Sequence, residues 1–349
     1  MTVIVNQGFI KYVQEPDALA RLCSDLTGLD TLYCIGGRRA LEQVRPQLRI
    51  DNAQILFREH TSPATVWAEA REYAEEVLSS GAQAVIGAGG GAAIDAAKAV
   101  AAMTGRALYL VPTSAATCSA ATTLIALYDQ DGRRTGKHVL PRPIDGVYVD
   151  ENILADAPKR LLASGIADSI AKLSEAASAC LYADNPSEMR WMSMMSQALH
   201  LMDVYYTHAQ PALNGDRESL RHVIYANLCL TAQITATGSQ RRIGEIAHHF
   251  YNGVTCLFPQ QRLSFLHGEI VGVGVLLEMS LAGAVAGNTA RSIQTFLRDI
   301  LHCPVSINDM HLPSDDISLA KLTAYISEKT DLSPITILAA LKTIVDGNI

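Results

Sequence analysis

AVIGAGGGAAIDAAKAVAAM, residues 84–103, reads as a buried strand that ends in three glycines and runs directly into a helix. Its first part is apolar without alternation, the pattern of a parallel strand covered on both faces. Gly89, Gly90 and Gly91 let the backbone turn sharply and let a ligand approach the main chain. The helix that follows presents unpaired N–H groups and a positive dipole end at the same place. Asp95 and Lys98 lie one turn apart on it. The spacing is neither GxGxxG nor a phosphate-binding P-loop. Spacing alone therefore leaves two readings open, an anion cradle or a tight strand–helix packing turn.

Outward from this unit the same alternation continues. DTLYCIGG (30–37), AQILF (53–57), ALYLVPT (107–113) and GVYVD (146–150) are strand-like runs, and a helical stretch extends from Pro63 to about Ser80. Strand, helix, strand in repetition predicts a parallel sheet with helices on its faces. DQDGRR (129–134) predicts a hairpin turn. Pro141, Pro143 and Pro158 bracket a change of character. Beyond them apolar residues recur at helical spacing near 158–182, 187–208, 217–238, 263–286 and 288–300. The expected architecture is an α/β Rossmann-like domain with a parallel sheet over residues 1–157, then an all-α domain over 158–349.

Composition narrows the function classes. Of 349 residues 49% are hydrophobic and 18% charged, a globular balance for two domains. The net charge is −7 and no basic stripe stands out, which argues against a nucleic-acid partner. No apolar run reaches the roughly 18 residues of a membrane span. The seven cysteines are scattered, odd in number and without a CxxC pair, so free thiols in a reducing cytoplasm are expected.

GGGAAIDAAKAVA (89–101), followed by PTSAATCSAATTL (112–124), resembles the group III, iron-containing alcohol dehydrogenase superfamily, in its glycerol and hydroxycarboxylate dehydrogenase branch. The resemblance runs along essentially the whole chain. It implies a dehydroquinate synthase-like architecture and a metal-dependent NAD(P)-linked oxidoreductase acting on a small polar alcohol or carbonyl. It also implies a small-molecule partner and a homo-oligomer. By the same carry-over Gly89, Gly90, Gly91, Asp95, Lys98, Thr113, Thr117, Thr122 and Leu124 contact or shape the cofactor site.

Three further segments match the superfamily's metal-binding pattern. SGIADSIAKLSEA places Asp168 at its carboxylate ligand, EIAHHFYNGVT places His248 four residues before Asn-Gly, and LHGEIVGVGVL places His267 in the HGExVxxG segment. Two imidazoles and a carboxylate suit Zn²⁺ and leave a coordination position open for catalysis. In the iron-dependent branch a fourth ligand, a histidine, follows the aspartate by four residues. Lys172 stands there, so zinc is expected over iron. Tyr251 and Asn252 are candidates for touching substrate, and Glu175 is either structural or a support for the ligands.

Two departures bear on specificity. NAD enzymes usually carry an acidic residue after the strand that ends in CIGGRRA. Gly36, Gly37, Arg38 and Arg39 stand there instead, and a guanidinium pairs with a 2′-phosphate, which favours NADP(H) over NAD(H). Glycerol dehydrogenases place a polyol-binding aspartate where Cys118 lies. Its loss disfavours glycerol and, with Lys172 as a cation for a carboxylate, favours a 2-oxo acid or 2-hydroxy acid. The alternative is an NAD-using cyclase or lyase of the dehydroquinate synthase type. It requires a basic cluster for a substrate phosphate, for which Arg241 and Arg242 are the sole candidates in the helical half.

Overall fold

The computed structural model describes residues 8–62, 65–129, 133–182, 189–237, 245–281 and 287–347. The chain divides into two compact units, 1–158 and 159–349.

The first unit is built on six parallel strands: β1 (Tyr12–Glu15), β2 (Thr31–Gly36), β3 (Gln54–Glu59), β4 (Ala84–Gly89), β5 (Ala107–Pro112) and β8 (Gly146–Asp150). Their order across the sheet is β1-β8-β5-β4-β2-β3. β4 and β8 are buried along their whole length, as their unbroken apolar sequences require. β6 (Leu124–Tyr128) and β7 (Arg134–Val139) form a separate antiparallel hairpin. Residues 130–132 of the expected turn lie outside the described residues. β1 is a four-residue, half-exposed edge strand with no periodicity to announce it.

The sheet order marks a candidate crevice. The chain leaves β2 towards β3 on one side and leaves β4 towards β5 on the other, although β2 and β4 are neighbours. Connections that diverge from adjacent strands open a crevice at the strands' carboxyl ends. Gly36-Gly37 and Gly89-Gly90 stand at those two ends.

The second unit consists of helices among its described residues. Those that matter below are Lys159–Tyr182, Ile246–Leu257 and His267–Leu281. The last starts four residues later than periodicity suggests. Glu269 reaches back to accept a hydrogen bond from the Leu266 N–H (2.8 Å), the reciprocal half of a capping box. Two further helices, Asp316–Ser327 and Pro334–Thr343, have no counterpart in the sequence reading. Among the described residues no helix is long and apolar enough to cross a membrane.

Candidate functional site

In the first unit the glycine turn has a conformational basis. Gly89 sits at φ +145°, which L side chains rarely adopt, and a Cβ there would lie 3.1 Å from the Ala93 Cβ. Gly36 is required by packing, since its Cβ would fall 2.6 Å from the Ala88 carbonyl oxygen. The Gly91–Thr104 helix begins with Gly90 as its cap, a residue with no side chain to satisfy the first N–H groups. N–H groups at a helix start are suited to receiving an anion. The 113–122 segment closes over the turn. Thr113 N–H donates to the Gly89 carbonyl (3.1 Å), and a Cβ on Gly91 would meet the Thr117 and Ser119 hydroxyls at 3.5 Å. The Thr122 hydroxyl lies 3.4 Å from the Ser119 carbonyl, and Cys118 is half-buried beside them.

Asp95 and Lys98 are buried beneath this surface. The Lys98 ammonium donates to Asp95 Oδ1 (2.8 Å) and to the Leu124 carbonyl (2.7 Å), while Asp95 Oδ2 accepts from the Ala126 N–H (2.9 Å). The pair ties the helix to the β6 strand, so both residues shape the cradle from below. Arg38 and Arg39 are exposed, and Arg38 Nε lies 3.1 Å from Glu59 Oε1 at the end of β3. Glu59 pairs in register with Gly36. It is a carboxylate near the crevice that sequence order alone did not place.

In the second unit Asp168, His248 and His267 come together from three helices, with their ligand atoms all within 4.8 Å of one another. The small residues of HGEIVGVGV explain how. A Cβ on Gly268 would lie 1.8 Å from the Ser164 carbonyl oxygen, one turn before Asp168. A Cβ on Gly274 would lie 2.5 Å from the Ala247 carbonyl oxygen, beside His248. One helix thus meets the other two backbone to backbone. The Gly268 N–H donates to the Ser164 hydroxyl (3.1 Å) across the first contact. Arg160 grips the start of the same helix, with Nε and Nη2 donating to the two Glu269 oxygens (2.6 and 2.7 Å) and Nη2 also to the Ser264 carbonyl (3.0 Å).

The geometry suits a metal ion. His267 Nε2 stands 3.1 Å and His248 Nε2 3.5 Å from Asp168 Oδ1. Ligand atoms about 2.0–2.1 Å from a tetrahedral zinc stand about 3.3 Å apart. Neither contact has the alignment of a hydrogen bond, and Asp168 Oδ1 is buried without one among the described residues. Donor atoms that converge on a point, rather than on each other, are what a cation would organise. Burial pushes the Asp168 carboxyl up, but His267 and His248 outweigh it and hold the group well below the usual carboxylate range. Burial lowers His248, yet Asp168 and Glu175 raise it to about 9. His267 is raised for the same reason, with burial opposed chiefly by Asp168.

The remaining expected residues surround this point unequally. Tyr251 is buried, and its ring meets the edge of His267 at 4.1 Å between centroids. Burial would raise its hydroxyl, but His267 and Arg262 bring it down to about 8. The Asn252 side-chain oxygen is buried without a hydrogen bond among the described residues. Lys172 is buried rather than displayed, with its ammonium 2.6 Å from Glu175 Oε2. Sequence reading missed Glu278, which accepts from the Ser174 (2.8 Å) and Ser178 (2.9 Å) hydroxyls. Burial, then the Glu175 charge, push its carboxyl up to about 7. Arg241 and Arg242 lie outside the described residues.

The family model described as iron-containing alcohol dehydrogenase matches residues 10–142. A Synechocystis sp. protein described as an uncharacterized oxidoreductase is 34% identical over 69% of this chain, and the match spans 62% of that relative's length. Hydroxycarboxylate dehydrogenase A of Escherichia coli is 29% identical over 96% of this chain and 95% of its own. The crystal structure of a probable glycerol dehydrogenase from Sinorhizobium meliloti superposes with a TM-score of 0.85 at 22% identity, covering 98% of both chains, a likeness of fold.

Proposed function

The chain belongs to the iron-containing alcohol dehydrogenase family, and from there we propose that it is a zinc-dependent NAD(P)-linked dehydrogenase interconverting a 2-oxo acid and its 2-hydroxy acid. The observation that carries the metal requirement is the convergence of Asp168, His248 and His267. One carboxylate and two imidazoles are a zinc set with a position left open. Lys172, at the place of the iron branch's fourth ligand, is engaged with Glu175, which supports zinc over iron.

When bound, the ion supplies Lewis acidity at the substrate oxygen, and the nicotinamide supplies or accepts the hydride. The chain's own residues do the positioning. Asp168, His248 and His267 hold the ion. The Gly89–Gly91 turn and the helix N–H groups behind it receive the pyrophosphate. Asp95 and Lys98 hold the shape of that cradle, and the Thr113–Thr122 segment borders it. Tyr251 walls the metal centre against the His267 ring, and the unsatisfied Asn252 oxygen offers an acceptor to a substrate hydroxyl.

Cys118 supports an anionic substrate over glycerol, because a thiol there exerts no repulsion on a carboxylate and forms a weaker hydrogen bond to a hydroxyl. The Lys172 charge is already compensated by Glu175, so it adds little to that preference. Exposed Arg39, and Arg38 shared with Glu59, support acceptance of NADPH. The test is oxidation of NADPH and NADH, in parallel, by 2-oxoglutarate, 2-oxobutyrate and dihydroxyacetone with zinc present. Turnover of a 2-oxo acid with NADPH is the expected result. Turnover of dihydroxyacetone alone would return the assignment to glycerol.

A further inference from the structure

Behind the metal ligands lies a charged pair that the proposed chemistry does not use. Glu175 stands seven residues after Asp168 on the same helix and is buried. Its two oxygens face different partners. Oε2 accepts from the Lys172 ammonium at 2.6 Å, and Oε1 lies 3.1 Å from His248 Nδ1. Oε1 is buried without an aligned hydrogen bond among the described residues. A buried carboxylate oxygen left unmatched is costly, and the His248 Nδ1–H is the donor within reach. The other ring nitrogen, Nε2, is the one that faces Asp168 Oδ1.

We infer that Glu175 is the positioning residue for His248, and that Lys172 holds Glu175 in place. A carboxylate on Nδ1 fixes the tautomer with its proton there, leaves the Nε2 lone pair for a metal, fixes the ring's orientation and raises the basicity of the ligand. Lys172 clamps the other carboxylate oxygen, so Oε1 stays aimed at the ring. The lysine at this position is therefore the anchor of a three-residue chain, Lys172 to Glu175 to His248, that ends on the metal. The inference rests on the metal reading proposed above.

The test uses the full chain. Zinc affinity is measured by competition with a chromophoric chelator, and the visible ligand-field spectrum is recorded after cobalt substitution. The proteins are the wild type, Asp168→Ala, Glu175→Ala and Glu175→Gln, with apoprotein melting temperatures alongside. Glu175→Ala is expected to weaken zinc binding about 10–100-fold and to shift the cobalt bands. Glu175→Gln, which keeps an oxygen acceptor of the same shape without the charge, is expected to fall between it and the wild type. It carries the test should the alanine variant fail to fold. Zinc affinity within twofold of wild type and superimposable cobalt spectra in the folded Glu175 variants would overturn the inference, even if melting temperatures fell. Failure of the wild type itself to bind zinc would overturn the metal reading together with it.

Discussion

Gly268→Ala separates local helix chemistry from the packing that builds the candidate metal centre. Replacing a helical glycine with alanine ordinarily stabilises by about 1 kcal/mol. Here the new Cβ would lie 1.8 Å from the Ser164 carbonyl oxygen and 2.7 Å from its carbon, both backbone atoms. An ordinary contact starts near 3.4 Å, so the two helices must part by about 1.6 Å at that point. Overpacking of this kind costs about 1–3 kcal/mol or more, which reverses the sign. Asp168 lies one turn from Ser164 and His267 is the residue beside Gly268, so their 3.1 Å separation opens with the helices. Ligand distances must hold to about 0.2 Å for a zinc site, and a loss of zinc affinity of at least about 100-fold follows. Gly272→Ala is the internal control on the same helix. Its Cβ would meet the Leu297 side chain at 3.3 Å and the Ala167 methyl at 3.5 Å, contacts that can yield. Urea denaturation and chelator competition measure both quantities. A Gly268→Ala protein as stable as wild type, with unchanged zinc affinity, would refute the argument that backbone contact sets the site.

Three other outcomes are expected. Asp168→Ala removes zinc binding and lowers turnover by at least about 10³-fold, the several kcal/mol a Lewis-acid metal supplies, while fluorescence titration still detects NADPH binding. Lys98→Met leaves the buried Asp95 carboxylate without its cation and costs about 3–5 kcal/mol in urea denaturation. The third concerns pH in the metal-free protein. His248 is raised from 6.5 to about 9, so its contribution to stability is complete below pH 6.5 and lost as pH rises through 9. The apoprotein melting temperature should fall across that interval, and apparent zinc affinity should rise over the same interval as protons cease to compete.

The sheet was legible because parallel strands buried on both faces must be continuously apolar, and β2, β4, β5 and β8 are. β1 was not, since four half-exposed residues carry no period. The helices Asp316–Ser327 and Pro334–Thr343 went unread, and the local signal that marks them lies in their caps. Asp315 accepts from the Ile317 and Ser318 N–H groups, and Ser333 precedes a proline at the first helical position. At the candidate metal centre Asp168, His248 and His267 were each proposed from a separate local segment, and the fold brings the three together. Their supports were not, because Arg160 meets Glu269 and Ser174 meets Glu278 across more than a hundred residues, and local spacing does not encode such pairs. Lys172 shows the limit most clearly. Its position on the helix suggested a cation open to substrate, while the fold buries it against Glu175.

Zinc dependence is decided by titrating zinc into chelator-stripped protein while following NADPH oxidation by a 2-oxo acid. A zinc-dependent dehydrogenase shows no turnover at zero zinc, a rise that saturates at one ion per chain, and none at any zinc level in Asp168→Ala. Turnover of the stripped protein equal to that of the reconstituted one would contradict it.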